Sequence, residues 1–189
     1  MLRLSAIVVE ARTLERRDCM DSFLAFIENG ALSTFIRETP TVFVFPAILT
    51  LHTIGMGVLA GGSIAIDLRI LGFAPQMALA PIGRFFPVLW LAFVVNAISG
   101  ILLLIAYPTK ALTNPLFYVK LLLIAAAVVL LLWIKRRIFD DPRIERMPIE
   151  RNDKRLALLS IAIWLAVITD GRLLAYTYRW EMLGIPAIM

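Results

Sequence analysis

Cysteine and histidine are almost absent from this chain of 189 residues, which contains one of each, Cys19 and His52. A single cysteine cannot form an intrachain disulfide, and it cannot build a metal site from cysteines alone. A single histidine excludes a haem held by two histidines of the same chain. The sequence also lacks a P-loop, a metalloprotease motif and a nucleophile paired with a base. These absences favour a non-catalytic protein, and no catalytic residue is identified.

Charged residues are scarce as well, at 17% of the chain, whereas 60% of the residues are hydrophobic. The mean hydropathy is +0.85, which is typical of integral membrane proteins. The net charge is +5, but the basic residues cluster in one segment between apolar ones. Such clustering orients a protein in a membrane, so we expect the lipid bilayer as a partner and no binding to nucleic acid.

Four apolar segments have about the length that a helix needs to cross the hydrocarbon core of a bilayer. They lie at residues 42–66, 85–107, 116–134 and 156–178. We therefore predict an all-α membrane protein, a four-helix up-down bundle that forms one domain over residues 20–178.

The two ends of the chain differ from this apolar body. Residues 1–19 are rich in charge, so we interpret them as an extension from an upstream start, with Met20 as the biological start. Over residues 21–35 apolar side chains recur near helical spacing, which predicts either a short interfacial helix or a surface helix packed on the bundle. Residues 179–189 are predicted to form an interfacial tail, in which Trp180 suits the membrane interface and the apolar end is open to a partner.

The basic residues predict how the chain is oriented. Within residues 135–155 they are Lys135, Arg136, Arg137, Arg143, Arg146, Arg151, Lys154 and Arg155. The connection between the second and third spans holds only Lys110 before the next helix begins. By the positive-inside rule, residues 135–155 lie in the cytoplasm, and both termini lie outside.

With this orientation, polar residues of several spans fall in one layer near the outer face. Its members are His52, Lys120, Asp170, Arg172 and Tyr176. An ionisable group inside a membrane costs about 2.5–3.5 kcal/mol, so it usually faces a partner or a cavity. We predict that Lys120 pairs with Asp170 and that Tyr118 or Tyr176 adds a hydrogen bond. Alternatively, Lys120 and Arg172 extend to the outer lipid headgroups.

His52 and Met56 are four residues apart on one helix, a spacing that presents an imidazole nitrogen and a thioether sulfur to one metal. These ligands suit haem iron or Cu(I). Alternatively, His52 is a hydrogen-bonded packing residue in a glycine-rich helix, where Gly57 and Gly61 have the spacing of a close helix contact.

Asp67 and Arg69 stand at the cytoplasmic end of the first span. Charged residues at this level commonly hold a helix end in place through neighbouring loops. We therefore interpret both as a structural tether to the basic segment 135–155.

Several short motifs together resemble an uncharacterised family of small four-helix bacterial inner-membrane proteins. They are Leu51-His52 with Gly55, Gly62, the run from Asp67 to Gly72, Asn114-Pro115 with Phe117 and Lys120, and Gly171-Arg172 with Ala175-Tyr176. The resemblance extends from Met20 to about Tyr178. That family is similar to the copper-resistance D and b-type cytochrome four-helix membrane proteins, which implies a haem b or copper site near one face. Family members often carry a second histidine at the end of the third span, whereas residues 132–135 of this chain include no histidine.

We expect a non-catalytic inner-membrane protein that serves as a helper or subunit of a larger complex, with other membrane subunits or a second copy as partners. One alternative is a haem- or copper-binding membrane protein that uses His52 and Met56. A second alternative is a small proton or anion transporter that uses His52, Lys120 and Asp170, because ionisable residues inside membranes mark such sites.

Overall fold

The computed structural model describes residues 22–38, 43–140 and 149–182, and every regular element in these ranges is a helix. The helices are α1 (22–28), α2 (Ala31–Glu38), α3 (Val44–Leu71), α4 (Leu79–Gly83), α5 (Phe86–Ala106), α6 (Pro108–Leu112), α7 (Pro115–Ile134) and α8 (Arg151–Met182). A π-helical segment, Lys135–Phe139, continues α7. The predictions for residues 1–19, for Met20 as the start and for the tail beyond residue 182 lie outside the described residues.

Four helices, α3, α5, α7 and α8, are long and apolar enough to cross a membrane, which confirms the predicted number of spanning helices. Their ends differ from the hydropathy limits. The first helix continues to Leu71 through Asp67 and Arg69, the third continues to Phe139, and the fourth begins at Arg151. Charged residues reduce hydropathy without interrupting backbone hydrogen bonding, so the helices extend beyond their apolar parts.

Local sequence signals end and begin two of the long helices. Gly72 ends α3 in the left-handed conformation, with φ 105°, and its N–H donates to the carbonyl oxygen of Arg69 at 3.1 Å. At the start of α7, the Asn114 side-chain oxygen accepts a hydrogen bond from the Leu116 N–H at 3.0 Å. Pro115 occupies the first turn, where its missing N–H has no helical partner to lose. The end of α3 and the start of α7 therefore have a direct chemical cause.

Helix α3 lies at the centre of the packing, between α5 on one side and α8 on the other. Helix α7 packs on the far side of α8, and α5 and α7 have little direct contact. Leu59 and Ile70 of α3 and Trp164 and Val167 of α8 are fully buried in the apolar core. The core is therefore built at the α3–α5, α3–α8 and α7–α8 interfaces.

The close helix contact predicted at Gly57 and Gly61 is formed by other glycines of α3. No atom of a neighbouring element lies within 4 Å of the position that a Cβ would take at Gly57 or Gly61. At Gly55, by contrast, a Cβ would lie 3.1 Å from the carbonyl oxygen of Ala92, and at Gly62 it would meet Leu89 of the same helix α5. The prediction for Gly57 and Gly61 is wrong because both glycines lie on the exposed side of α3, while Gly55 faces α5.

The two short N-terminal helices pack on the bundle with one face. Leu24 and Ile36 are buried, and Ser33 Oγ donates to the carbonyl oxygen of Ala106 at 3.3 Å. The opposite face is apolar and exposed, with Phe23 and Phe26 among its side chains. The buried face agrees with the predicted surface helix that packs on the bundle. Contact of the exposed aromatic face with a bilayer stays a prediction.

Candidate functional site

His52 is bound to α5 through reciprocal hydrogen bonds. Its Nδ1 lies 3.1 Å from the carbonyl oxygen of Asn96 and 3.1 Å from Ser99 Oγ. In return, the Asn96 side-chain amide donates to the carbonyl oxygen of His52 at 2.8 Å. Because a backbone carbonyl only accepts, Nδ1 carries the proton in this arrangement. In the neutral imidazole Nε2 then has a free lone pair.

Two glycines permit this contact. Gly55 lets the backbones of α3 and α5 approach one turn after His52, as described above. A Cβ at Gly100 would lie 3.2 Å from Cε1 of the imidazole, so Gly100 gives the ring its place against α5. The Nδ1 side of the ring therefore agrees with the alternative in which His52 is a hydrogen-bonded packing residue.

Lys120 interacts electrostatically with two other members of the predicted layer, His52 and Asp170. It is partly buried on α7. Its Nζ lies more than 4 Å from the carboxylates of the described residues. The expected pairing with Asp170 is therefore not a direct ion pair. Tyr118 does not add the expected hydrogen bond, because its hydroxyl donates to the carbonyl oxygen of Leu112 at 2.9 Å.

Asp170 lies on α8 and is buried, with an exposed fraction of 5%. Its Oδ2 has no hydrogen-bond partner within the described ranges. Arg172 and Tyr176 of the predicted layer are exposed, so they differ from Asp170 in facing away from the core. Lys120 thus interacts electrostatically with both His52 and Asp170, and we call these three residues the outer cluster, after the layer predicted from the sequence.

Met56 is partly buried and packs against the apolar core. In the part of the chain that the structure describes, no three histidine, cysteine, aspartate or glutamate side chains are grouped so that they could hold a metal ion. The anchored Nδ1 of His52 does match the way metal-binding histidines are usually oriented, with the second ring nitrogen left for the metal. His52 and Met56 therefore offer two ligand atoms at most from this helix.

Asp67 and Arg69 have different surroundings. Arg69 donates to the carbonyl oxygens of Met77 at 2.7 Å and Pro75 at 3.2 Å, so it holds the loop that follows its own helix. Asp67 is 1% exposed and faces α8. Neither side chain forms a hydrogen bond or an ion pair with a described residue of the basic segment, and residues 141–148 of that segment lie outside the described ranges.

Two polar clusters were not predicted from the sequence. Near the start of the chain, Arg37 bonds the Glu28 carboxylate at 3.3 Å and its carbonyl oxygen at 2.6 Å, and Thr109 Oγ1 donates to the same carboxylate at 2.6 Å. Glu28 and Arg37 stand out as isolated charges in an apolar stretch, which was the available signal.

The second cluster joins the end of α7 to the beginning of α8. Arg137 bonds Glu150 at 3.0 Å and also bonds Asp153. A groove of about 320 Å³ lies beside it, lined by Trp133, Arg137, Asn152, Arg155, Leu156 and Leu159. The groove is wide open and lies at the opposite end of α7 from Lys120. Consequently it is separate from the outer cluster.

No family model, no curated protein and no solved structure matches the chain. The functional interpretation therefore depends on the geometry of the chain itself.

Proposed function

We propose that the protein is a small membrane transporter in which the outer cluster binds a proton together with a small anion. The observation that carries the proposal is that Lys120 interacts electrostatically with both His52 and Asp170 and has no direct ion pair with a described residue. An ammonium group inside a bundle of apolar helices needs negative charge or acceptors nearby. A small anion beside Lys120 supplies both.

Charge balance links the proton to the anion. With neutral His52, the ammonium of Lys120 and an ionised Asp170 carboxylate compensate each other. A proton on the imidazole adds one positive charge, and an anion then restores the balance. Because charges interact strongly where the dielectric constant is low, each ligand favours binding of the other, and the coupling is reciprocal.

This proposal includes an orientation in the inner membrane of a bacterium, with four alternating spans, both termini outside and residues 135–155 in the cytoplasm. Contacts at both ends of α7 and α8 support opposite directions for these helices, since Arg137 meets Asp153 and Lys120 is near Asp170. The bacterial location follows the resemblance described above, and the sidedness follows the basic residues.

Single exposed cysteines in a Cys19→Ser background test this orientation. In intact cells, a membrane-impermeant thiol reagent should label Thr113→Cys, whereas Gln76→Cys and Asn152→Cys should react only after permeabilisation. All three positions are exposed, so burial does not explain a difference. The reverse labelling pattern would contradict the orientation.

Proton uptake tests the function. In weakly buffered lipid nanodiscs, chloride or nitrate should cause purified protein to take up protons, as read by a pH indicator. His52→Gln and Lys120→Met should abolish the uptake, whereas Arg172→Gln, which removes an exposed charge, should retain it. Wild-type protein that takes up no protons with either anion would overturn the proposal.

Metal or haem binding is the second candidate, and the anchored Nδ1 of His52 favours it. His52 would then offer Nε2 to haem b or copper, with Met56 as a further ligand for copper. Protein expressed with haem and copper supplied should show a Soret band or stoichiometric copper that is lost in His52→Ala. Wild-type protein without either signal would exclude this candidate.

The wider prediction of a non-catalytic subunit in a larger complex calls for a separate measurement. The mass of the gently solubilised native protein distinguishes a single copy, a second copy and other membrane subunits as partners. A lone 21.2 kDa chain would contradict the subunit role.

A further inference from the structure

A second group of buried polar side chains lies between α3 and α8, at the other end of the bundle from the outer cluster. Ser63 and Asp67 of α3 are 0% and 1% exposed, and Ser160 and Trp164 of α8 are both 0% exposed. Asp67 lies about 22 Å from His52 along α3 at a rise of about 1.5 Å per residue. This group, which we call the inner cluster, is therefore separate from the proposed anion site.

Hydrogen bonding in the inner cluster is incomplete. Ser63 Oγ is satisfied, since it donates to the carbonyl oxygen of Leu59 at 2.7 Å. Asp67 Oδ2, Ser160 Oγ and Trp164 Nε1 have no hydrogen-bond partner among the residues described. Ser160 is near enough to the Asp67 carboxyl to interact with it, although Ser160 Oγ forms no hydrogen bond with a described residue. Each unsatisfied buried group costs about 1–3 kcal/mol, so this interface has an unusual cost in free energy.

No cation compensates Asp67 in the described ranges. On its own helix, Arg69 points to the following loop and binds backbone carbonyls there. At the end of α7, Lys135 pairs with Asp140 at 2.9 Å and Arg137 binds carboxylates at the start of α8.

Among the described residues, the buried side chains near Asp67 are neutral. From α8 they are the Ser160 hydroxyl and, one turn further, the Trp164 indole. From α5 the buried side chains at this end of the interface are Phe86 and Leu89. A lone ionised carboxylate in such surroundings costs several kcal/mol, whereas a neutral carboxyl avoids most of that cost.

We infer that Asp67 is a proton-binding site inside the helix bundle, with the Ser160 hydroxyl as its hydrogen-bonding partner. The proton removes the buried charge and converts an acceptor into a donor, from which Ser160 Oγ can accept a hydrogen bond. The Trp164 N–H, a donor only, requires an acceptor at the same interface, and one water molecule between the three groups satisfies it. Loss of the proton leaves a buried charge that draws further water between α3 and α8.

This inference stands apart from the anion proposal, because none of its residues belongs to the outer cluster. It adds a second proton-binding group near the opposite end of α3. In the orientation proposed above, that end faces the cytoplasm.

Infrared spectroscopy of the protein in lipid nanodiscs tests the inference. A protonated carboxyl absorbs above the amide I band, and its band shifts when deuterium replaces hydrogen. At neutral pH the wild type should show this band, and Asp67→Asn, which has nearly the same shape, should lose it. Asp153→Asn should keep it, because Asp153 is bound to Arg137 and does not supply the signal.

A second variant distinguishes the loss of the Ser160 hydroxyl from a general effect on folding. Ser160→Ala should keep the carboxyl band at full intensity and shift its frequency, because the neighbouring hydroxyl is lost. The absence of a carboxyl band in the wild type at neutral pH would overturn the inference, as would a band lost in Asp170→Asn and kept in Asp67→Asn. The anion proposal would be unaffected, since its readout uses His52 and Lys120.

Discussion

The close crossing of α3 and α5 at Gly55 allows a sharp test of how the bundle is held together. In Gly55→Ala, the new Cβ would lie 3.1 Å from the carbonyl oxygen of Ala92 and 3.2 Å from the backbone nitrogen of Asn96. Ordinary carbon contacts are about 3.5–4.0 Å, so the two backbones must separate by a few tenths of an ångström. The separation also lengthens the hydrogen bonds between His52 and Asn96.

The expected change in the free energy of unfolding is the sum of two opposing effects. Alanine in place of glycine favours a helix by about 0.8–1 kcal/mol. Overpacking against backbone atoms costs about 1–3 kcal/mol. Gly57→Ala is the matched control two residues away, because no neighbouring atom lies within 4 Å of its Cβ position and only the favourable effect applies. We expect the free energy of unfolding of Gly55→Ala to be lower than that of Gly57→Ala by about 1–3 kcal/mol.

Reversible unfolding in mixed micelles, followed by tryptophan fluorescence as a denaturing detergent is added, measures this difference. Gly62→Ala should lie between the two variants, because its Cβ would meet the flexible end of Leu89 instead of backbone. Equal stability of Gly55→Ala and Gly57→Ala would refute the packing described here, as would a lower stability of Gly57→Ala.

Three further substitutions probe the polar contacts. Asn96→Ala removes the amide that donates to His52 and should lower the free energy of unfolding by about 0.6–1.7 kcal/mol in the same assay; an unchanged value would argue against that bond. Thr109→Val removes the hydroxyl that binds Glu28, so limited proteolysis should cut the N-terminal helices faster than in Thr113→Val, whose hydroxyl bonds only its own helix. Arg137→Gln should increase hydrogen exchange at the first turn of α8, and equal exchange in the variant and the wild type would contradict its role there.

The number and nature of the long helices were predictable from the sequence, because hydropathy directly reflects what a spanning helix must bury. The helix ends were not, since Asp67 and Arg69 continue a helix that hydropathy had ended at residue 66. Backbone hydrogen bonding and the cap at Gly72 set the end of α3, and neither enters a hydropathy average.

For the outer cluster, rise per residue predicts one level for His52, Lys120 and Asp170. Lys120 interacts electrostatically with both others, and their common level stays a prediction. Which side of its helix a residue occupies was not predictable, as the exposed Gly57 and the buried Gly55 show. The partners of Tyr118 and Arg69 depend on connections between helices, which spacing along one helix does not determine.

The inner cluster was missed because the sequence places its members about 100 residues apart, on helices whose facing sides are set by packing. The one signal was a carboxylate, Asp67, directly after the first apolar segment. The basic segment 135–155 favours a tether to that segment, whereas in the structure Asp67 is buried against α8.

His52 is the only histidine of the chain, so nitrogen NMR of histidine-labelled protein in lipid reports on one residue without further assignment. Without an anion, we predict a neutral ring protonated at Nδ1, as the bond to the Asn96 carbonyl requires. Chloride should convert the spectrum to that of a ring protonated at both nitrogens. A ring that keeps one protonation state with and without chloride would contradict proton-linked anion binding at this cluster.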